Sequence, residues 1–287
     1  VAPRLLCLGD NVVDRYVDTG VMYPGGNALN VAVHARRLGT DAAYLGVTGD
    51  DAAGDLVRSA LISERVDVAR VKTRPGMTAY ADVRLIEGNR VFGHGDPGVS
   101  RFVLGPDELA DVGAFDLVHT GECSGVEDQL PAIAQAAARL SFDFSERPWE
   151  YIAQFAPIAD IAIASLPSGE HGTAVDYGLR IAALGPRIVV VTGGPQGAWL
   201  ISDGQVAHAA AGTGPIVDTL GAGDAFIARF LTGLLREEPS AHALAAATAY
   251  ATDACATFGA FGHPGAPIET PAPGVEHPAW AQQQPRN

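Results

Sequence analysis

The sequence predicts an α/β fold built on a mainly parallel sheet, with a small second sheet lying outside it. Three observations lead there. Short apolar runs alternate with helical spacings along most of the chain. The run Ile188-Val189-Val190-Val191, ending in a glycine-rich turn, reads as a strand buried on both faces. Residues 80–86 and 90–92, split by Glu87-Gly88-Asn89, read instead as an antiparallel hairpin.

Composition sets the outer limits. A chain of 287 residues makes one large α/β domain or two small ones, and no repeat or linker divides this one. With 47% hydrophobic and 18% charged residues it can bury a substantial core. The formal net charge of -14 argues against nonspecific nucleic-acid binding and against an anionic membrane surface, while leaving phosphorylated ligands possible. Cys7, Cys123 and Cys255 are widely spaced, so buried thiols in a reducing cytoplasm are expected rather than disulfides or a zinc site. No apolar run approaches the roughly 18 to 20 residues of a membrane helix, and the start of the chain lacks a signal-peptide layout.

In order, residues 4–8 form an apolar strand ending at Gly9-Asp10, and residues 11–18 form a partly alternating one. Asp14 lies just beyond the first strand, where open α/β sheets place ligands; the residues alone favour the other reading, an exposed strand with acids facing water. Pro24-Gly25-Gly26-Asn27-Ala28-Leu29-Asn30 leads into a helix marked by Val31, Ala35 and Leu38 and closed by Gly39. Asn27, Asn30 and His34 share one face of that helix. Asparagine both donates and accepts, which suits a polyhydroxy ligand; helix capping is the alternative for Asn27 but does not explain Asn30. Residues 42–47 are the next strand, followed by Gly49-Asp50-Asp51-Ala52-Ala53-Gly54 and a helix of two to three turns. The hairpin then joins the strands around 12–23 in the small sheet, either as a lid or as a plain edge.

Past residue 116 the alternation resumes. Leu117-Val118-His119 is a strand delivering Gly121-Glu122, and a helix is expected over 126–140. In the following segment, strand period points Asp143, Ser145 and Arg147 to one side and Phe142 and Phe144 to the other. Strands follow at 158–164 and 187–192, the latter running into Gly193-Gly194-Pro195-Gln196-Gly197. Two short strands come next, at 198–201 and 206–209. An alanine-rich helix is expected over 240–258, and beyond about 267 the Pro- and Gln-rich chain is expected to fray.

The densest chemistry lies in Asp218-Thr219-Leu220-Gly221-Ala222-Gly223-Asp224. Phe226, Phe230 and Leu234, with Leu231 and Leu235, mark a buried helical stripe after it, so Gly221 to Gly223 fall at a helix N-terminus that attracts anions. Asp224 opposes a simple anion cradle. It fits a base that takes a proton from a second substrate while the amides hold developing charge; a tight turn with a helix-favouring acid is the other reading. Other templates fail: Lys72 is the only lysine, so no P-loop lysine exists, and Gly212-Thr213-Gly214 is not a dinucleotide fingerprint. The histidines lack metal spacing, and no Gly-x-Ser-x-Gly elbow occurs.

Four motifs in order, Pro24-Gly25-Gly26-Asn27-Ala28-x-Asn30, Gly49-Asp50-Asp51-x-x-Gly54, Thr192-x-Gly194-x-x-Gly197 and Asp218-Thr219-x-Gly221-Ala222-Gly223-Asp224, resemble those of the ribokinase/PfkB sugar kinases. The resemblance spans about residues 4–268. It implies a three-layer α/β/α fold with a small β lid, within one kinase domain over 1–268 and a flexible tail over 269–287. It implies transfer of the γ-phosphate of ATP to a sugar hydroxyl, with Mg²⁺ and, in some members, a monovalent cation such as K⁺. Asp224 would be the base and Gly221, Ala222 and Gly223 the anion hole. Asp14, Gly26, Asn27, Asn30, Glu122 and Arg147 would face the sugar; Thr192, Gly194, Gly197, Thr219, Gly221 and Gly223 would face the nucleotide. A homodimer through the lid is a further family expectation. One departure concerns the metal. Where the family carries Asn-x-x-Glu, this chain reads Ser165-Leu166-Pro167-Ser168-Gly169-Glu170, so both expected side chains are missing and Glu170 is a candidate substitute only from a shifted position. Ser141-Phe142-Asp143-Phe144-Ser145-Glu146-Arg147 resembles the form found in members that phosphorylate fructoselysine, and Gly259-Ala260-Phe261-Gly262 fits the same subgroup. The expected substrate is therefore a fructosamine, with fructose, ribose or ketodeoxygluconate as alternatives. A catalytically silent sugar- or nucleoside-binding regulator is the alternative of another class.

Overall fold

A computed structural model describes residues 2–86, 89–167 and 173–266. The expected tail beyond 267, the hairpin residues Glu87 and Gly88, and Ser168, Gly169 and Glu170 lie outside the described residues.

The first half of the chain runs β1 (Arg4–Leu8), β2 (Val12–Tyr16), β3 (Val21–Gly25), α1 (Asn27–Arg37), β4 (Asp41–Gly49), α2 (Ala52–Ser63), β5 (Asp67–Arg74), β6 (Tyr80–Ile86), β7 (Asn89–Asp96) and α3 (Pro106–Val112). The second half runs β8 (Leu117–Gly121), α4 (Leu130–Ala136), β9 (Leu140–Asp143), α5 (Trp149–Phe155), β10 (Ile161–Ser165), α6 (Ala174–Ala182), β11 (Ile188–Thr192), β12 (Ala198–Ser202), β13 (Gln205–Ala209), α7 (Ala222–Leu235) and α8 (Ser240–Ala254). They build a 9-stranded sheet ordered β13-β12-β11-β10-β9-β8-β1-β4-β5 and a 4-stranded sheet ordered β3-β2-β6-β7. From β5 to β11 the large sheet is parallel; β12 and β13 continue it antiparallel.

Alternation along β1 shows how two cores form. Leu5 and Cys7 point to the face covered by α1, α2, α7 and α8, where Leu29, Val57, Phe230 and Leu244 are buried. Leu6 and Leu8 point to the other face, where Val112, Ile133, Ile152 and Ile181 of α3 to α6 are buried. A two-residue side-chain period on a sheet covered on both sides thus gives the three layers. The Phe226/Phe230/Leu231/Leu235 stripe is buried as expected, with Leu234 partly so.

Four expectations are corrected. The helix over 126–140 is only α4; Pro131 suits a helix start, and the chain leaves the helix at Ala137 (ψ 141°) so that Leu140 can pair with Val118. The strand alternation of Asp143, Ser145 and Arg147 stops at Asp143, because Ser145 takes a positive φ of 47° and the chain turns. The strand at 158–164 starts later, at Ile161, after a short 3-10 turn over Ala156–Ile158. The alanine-rich helix ends at Ala254 rather than 258.

Candidate active site

The strand order reverses about β1, which lies between β4 and β8, and ligands of open α/β sheets bind outside the carboxyl ends of strands at such a point. Gly9-Asp10 leaves β1 there, Gly121-Glu122 leaves β8, and Asp143 ends β9 beside Gly121.

Gly26 starts α1 with a φ of 116°, and a Cβ on it would sit 2.7 Å from Asn11 Cα, so glycine is required for the crossing. The crossing brings Asp10 over the helix end. Its carboxylate accepts from the Asn27 N–H at 2.8 Å, the Ala28 N–H at 3.3 Å and the Ser124 hydroxyl at 3.0 Å. Asp10 therefore satisfies the first amides of α1 from another strand. Asn27 is the first helical residue and not the cap. Burial raises the Asp10 carboxyl above the usual range, and these bonds oppose the rise.

With its main chain held, Asn27 turns its side chain into the site. Asn27 Nδ2 donates to Asp224 Oδ1 at 2.8 Å and to Asp143 Oδ2 at 2.8 Å, and Asn30 Nδ2 donates to Asp224 Oδ2 at 2.7 Å. Each oxygen of Asp224 receives an amide N–H, which orients the carboxylate. His34, the third residue of that face, does not join them. Its Nε2 donates to the Ala260 carbonyl at 3.0 Å and its Nδ1 meets the Tyr250 hydroxyl at 3.1 Å. Burial lowers its pKa to about 4, so it is a neutral core histidine.

Asp143 accepts from the Ser145 N–H at 2.9 Å as well as from Asn27. Burial pushes its carboxyl up to about 7; the nearby charges of Asp224 and Glu122 add to the rise, and the two hydrogen bonds oppose it. Glu122 pairs with Arg147 through Nε at 2.8 Å and a second nitrogen at 2.6 Å. The turn at Ser145 makes that pair possible by bringing Arg147 back over β8. Asp14 is buried in β2, its Oδ2 only 2.4 Å from where a Gly25 Cβ would lie.

Asp224 occupies the first turn of α7, whose first intrahelical bond runs from Ala225 N–H to the Gly221 carbonyl at 2.8 Å. The Ala222 and Gly223 amides precede that bond. Ala222 N–H is turned back to Thr219 at 3.3 Å, whereas a Cβ on Gly223 would meet nothing within 4 Å. Behind lies a cavity of about 940 Å³ lined by Thr192, Gly194, Gly197, Thr219, Ala222 and Gly223, together with Leu166, Ile216, Phe226 and Cys255. Its size falls within the usual range for a cofactor-sized ligand. Glu146 is the charged residue in the lining, so no Lys or Arg among the described lining residues meets a polyphosphate. Asp218, at the start of the motif, accepts from the Leu220 N–H at 2.9 Å, the Gly259 N–H at 3.0 Å and the Tyr16 hydroxyl of the small sheet. Among the described residues no group of three or more His, Cys, Asp or Glu is placed to hold a metal ion.

Thus the predicted Asn27, Asn30 and Asp224 meet directly, and five of the six expected nucleotide-side residues, Thr192, Gly194, Gly197, Thr219 and Gly223, line one cavity; Gly221 is not in that lining. Sequence reasoning did not place Asp10, His119 or Tyr16 in the site, and gave Asp143 no contact. Asp10 was detectable as an acid directly after β1; His119 and Tyr16 carry no local signal.

The sequence model of the pfkB family carbohydrate kinases matches residues 5–263. The chain belongs to that family: it is a carbohydrate kinase, a phosphotransferase acting on a sugar hydroxyl. It is 36% identical over 266 residues to fructosamine kinase FrlD of Bacillus subtilis (strain 168), covering 91% of this chain and 93% of that protein. To fructoselysine 6-kinase of Escherichia coli (strain K12) it is 34% identical over 262 residues, covering 90% and 99%. Among solved structures it resembles the Arabidopsis thaliana ribokinase complexed with ribose and ATP, with a TM-score of 0.79 at 21% identity over 91% of this chain and 95% of that one. This likeness establishes the shared fold. Among the described residues no helix is long and apolar enough to cross a membrane.

Proposed function

We propose that the chain uses ATP to phosphorylate the primary hydroxyl of a fructosamine, a ketose carrying an amino-acid group, as in fructoselysine. The observation that carries the kinase chemistry is the position of Asp224, held by Asn27 and Asn30 where the acidic sugar side meets the glycine-lined cavity. The hydroxyl oxygen attacks the γ-phosphorus, its proton passes to the Asp224 carboxylate, and the bond to the ADP oxygen breaks. The Gly223 amide faces the transferring group, where little covalent help is needed and charge stabilisation dominates. Mg²⁺ held with the nucleotide would supply the positive charge that no Lys or Arg among the described lining residues provides, and Glu146 in that lining would hold its water shell.

Support for the fructosamine comes from the identity to the two kinases named above and from the charge of the site. Asp14, Glu122 and Asp224, with Asp143 only partly ionised near neutral pH, stand against Arg147, a balance that favours a substrate bearing an amine. Glu122 and Arg147 flank the position where the amino-acid group would lie. The small sheet closes over the sugar as a lid, and its β7 edge, with Val91 and Phe92 exposed, supports a homodimer through that sheet. Sedimentation is expected to give a dimer, and a monomer at all concentrations would dismiss that arrangement. Cys7, Cys123 and Cys255 are thiols and not disulfide halves, which supports a cytoplasmic setting.

The test is ADP release with Mg-ATP across fructoselysine, other fructosamines, fructose, ribose, ketodeoxygluconate and adenosine, in potassium and in choline buffers. Fructosamines are expected to give the highest kcat/KM, with Mg²⁺ required. Activity confined to adenosine or ribose overturns the fructosamine reading. Tight sugar binding with no turnover on any of them points to a regulator.

A further inference from the structure

Behind Asn27 lies a buried chain of polar groups that the phosphoryl transfer described above leaves unused. His119 on β8 and Ser141 on β9 are both 0% exposed and sit opposite each other in the parallel register. His119 Nδ1 lies 3.1 Å from Ser141 Oγ, and His119 Nε2 lies 3.3 Å from Asn27 Oδ1. Burial in an apolar sheet usually selects an aliphatic side chain at such a position, and a histidine there must have both ring nitrogens matched.

The directions of these bonds follow from Asp224. An ionised carboxylate only accepts, so Asn27 must present its NH₂ group to Asp224, and the second hydrogen of that group then reaches Asp143. Its Oδ1 then faces His119, whose Nε2 must carry the hydrogen. Nδ1 is left to accept from the Ser141 hydroxyl. Burial lowers the His119 pKa to about 3, so the ring is neutral with one hydrogen, as this arrangement requires. All hydrogen-bonding groups of the Asn27 side chain are thereby committed inside the protein. Gly121 makes room for this, since a Cβ there would lie 2.7 Å from Asn27 Oδ1.

We propose that His119, steadied by Ser141, is a positioning residue for phosphoryl transfer: it fixes the Asn27 amide so that this one group bridges Asp143 and Asp224 and holds the base's carboxylate toward the acceptor hydroxyl. Asn27 therefore serves Asp224 rather than binding the sugar. Without the His119 N–H, Asn27 Oδ1 is a buried acceptor lacking its donor, and the amide is free to turn or withdraw. The carboxylate then loses the restraint from Asn27, while that from Asn30 remains. The inference rests on Asp224 being the base.

The experiment compares kcat and KM of His119→Leu, His119→Gln and Gly121→Ala with wild type, on whichever ketose the wild type phosphorylates. Folded sites are counted by ADP binding, and Asp224→Asn is run alongside. His119→Leu is expected to lower kcat by roughly ten- to hundredfold with KM for the ketose within about threefold, because a misplaced base affects the transition state more than ground-state binding. His119→Gln, which can donate again to Asn27, is expected to recover most of that loss. Gly121 has a φ of -153°, which alanine adopts, so Gly121→Ala displaces Asn27 with His119 intact and serves if His119→Leu does not fold; a kcat loss is expected there too. Wild-type kcat per folded site in either His119→Leu or Gly121→Ala overturns the proposal. Equal losses in the Leu and Gln variants that track only thermal stability also overturn it. If Asp224→Asn is inert while His119→Leu is normal, only the positioning role fails. If Asp224→Asn retains turnover, the base assignment fails and the positioning role with it.

Discussion

Asp224→Asn is expected to reduce kcat by about a hundredfold or more while leaving ADP and sugar binding within a few-fold of wild type. The substitution keeps shape and most packing in the first turn of α7 but removes the atom that receives the hydroxyl proton in the proposed reaction. It also sets an NH₂ group against one of the two amides that Asn27 and Asn30 aim at this position, so a small loss of stability accompanies it. Because the phosphoryl transition state is loose, the proton leaves late, and an ordinary ionised carboxylate suffices as base. Steady-state kinetics together with calorimetric ADP binding separate the two effects. Near-normal turnover would remove Asp224 from the role.

Gly221→Ala is expected to lower kcat by roughly ten- to hundredfold and to cost about 2–4 kcal/mol of stability. Gly221 has a left-handed φ of 74°, and its Cβ would fall 2.5 Å from Ala260 Cβ and 2.8 Å from Ala260 Cα. Ala260 is buried, and its carbonyl accepts from His34, so it has little room to retreat. The turn must shift instead, which moves the Gly223 amide away from the proposed position of the transferred phosphoryl group. Gly223→Ala is the contrast: a Cβ there meets open space, so stability within about 0.5 kcal/mol of wild type is expected. Urea unfolding and kinetics on both variants check the pair. Equal stabilities would show that the Ala260 contact does not restrain the turn.

Much of this architecture was legible from local pattern. Ile188-Val189-Val190-Val191 is a buried parallel strand, and the hairpin around 80–92 does join the strands near 12–23 in a separate sheet. Local pattern failed where partners distant in the chain decide. The alanine-rich stretch after 126 has ample helix propensity, yet its last residues are drawn into β9 because β8 and β10 both need a neighbour there. Ser145 reads as one more alternating position, but the chain must turn at it for Arg147 to meet Glu122. The helical face Asn27, Asn30 and His34 is real as geometry. Its third member is diverted because Ala260 and Tyr250, more than two hundred residues later in the chain, pack over it.

By itself the sequence determined the layered α/β class, the glycine turns at two helix starts and the candidate base at Asp224. The strand–helix alternation and the turns rest on the spacing of neighbouring residues; the layers and the choice of Asp224 as base rest on the resemblance of four motifs to a kinase family. What Asp224 faces was decided by the tertiary structure. Two asparagines from α1 bond it, and an acid from β9 and a histidine from β8 bond one of them, Asn27, so three separate elements define its surroundings. Hydrogen bonds between such distant residues depend on strand register and helix placement, and those are set by burying apolar side chains on both faces of one sheet.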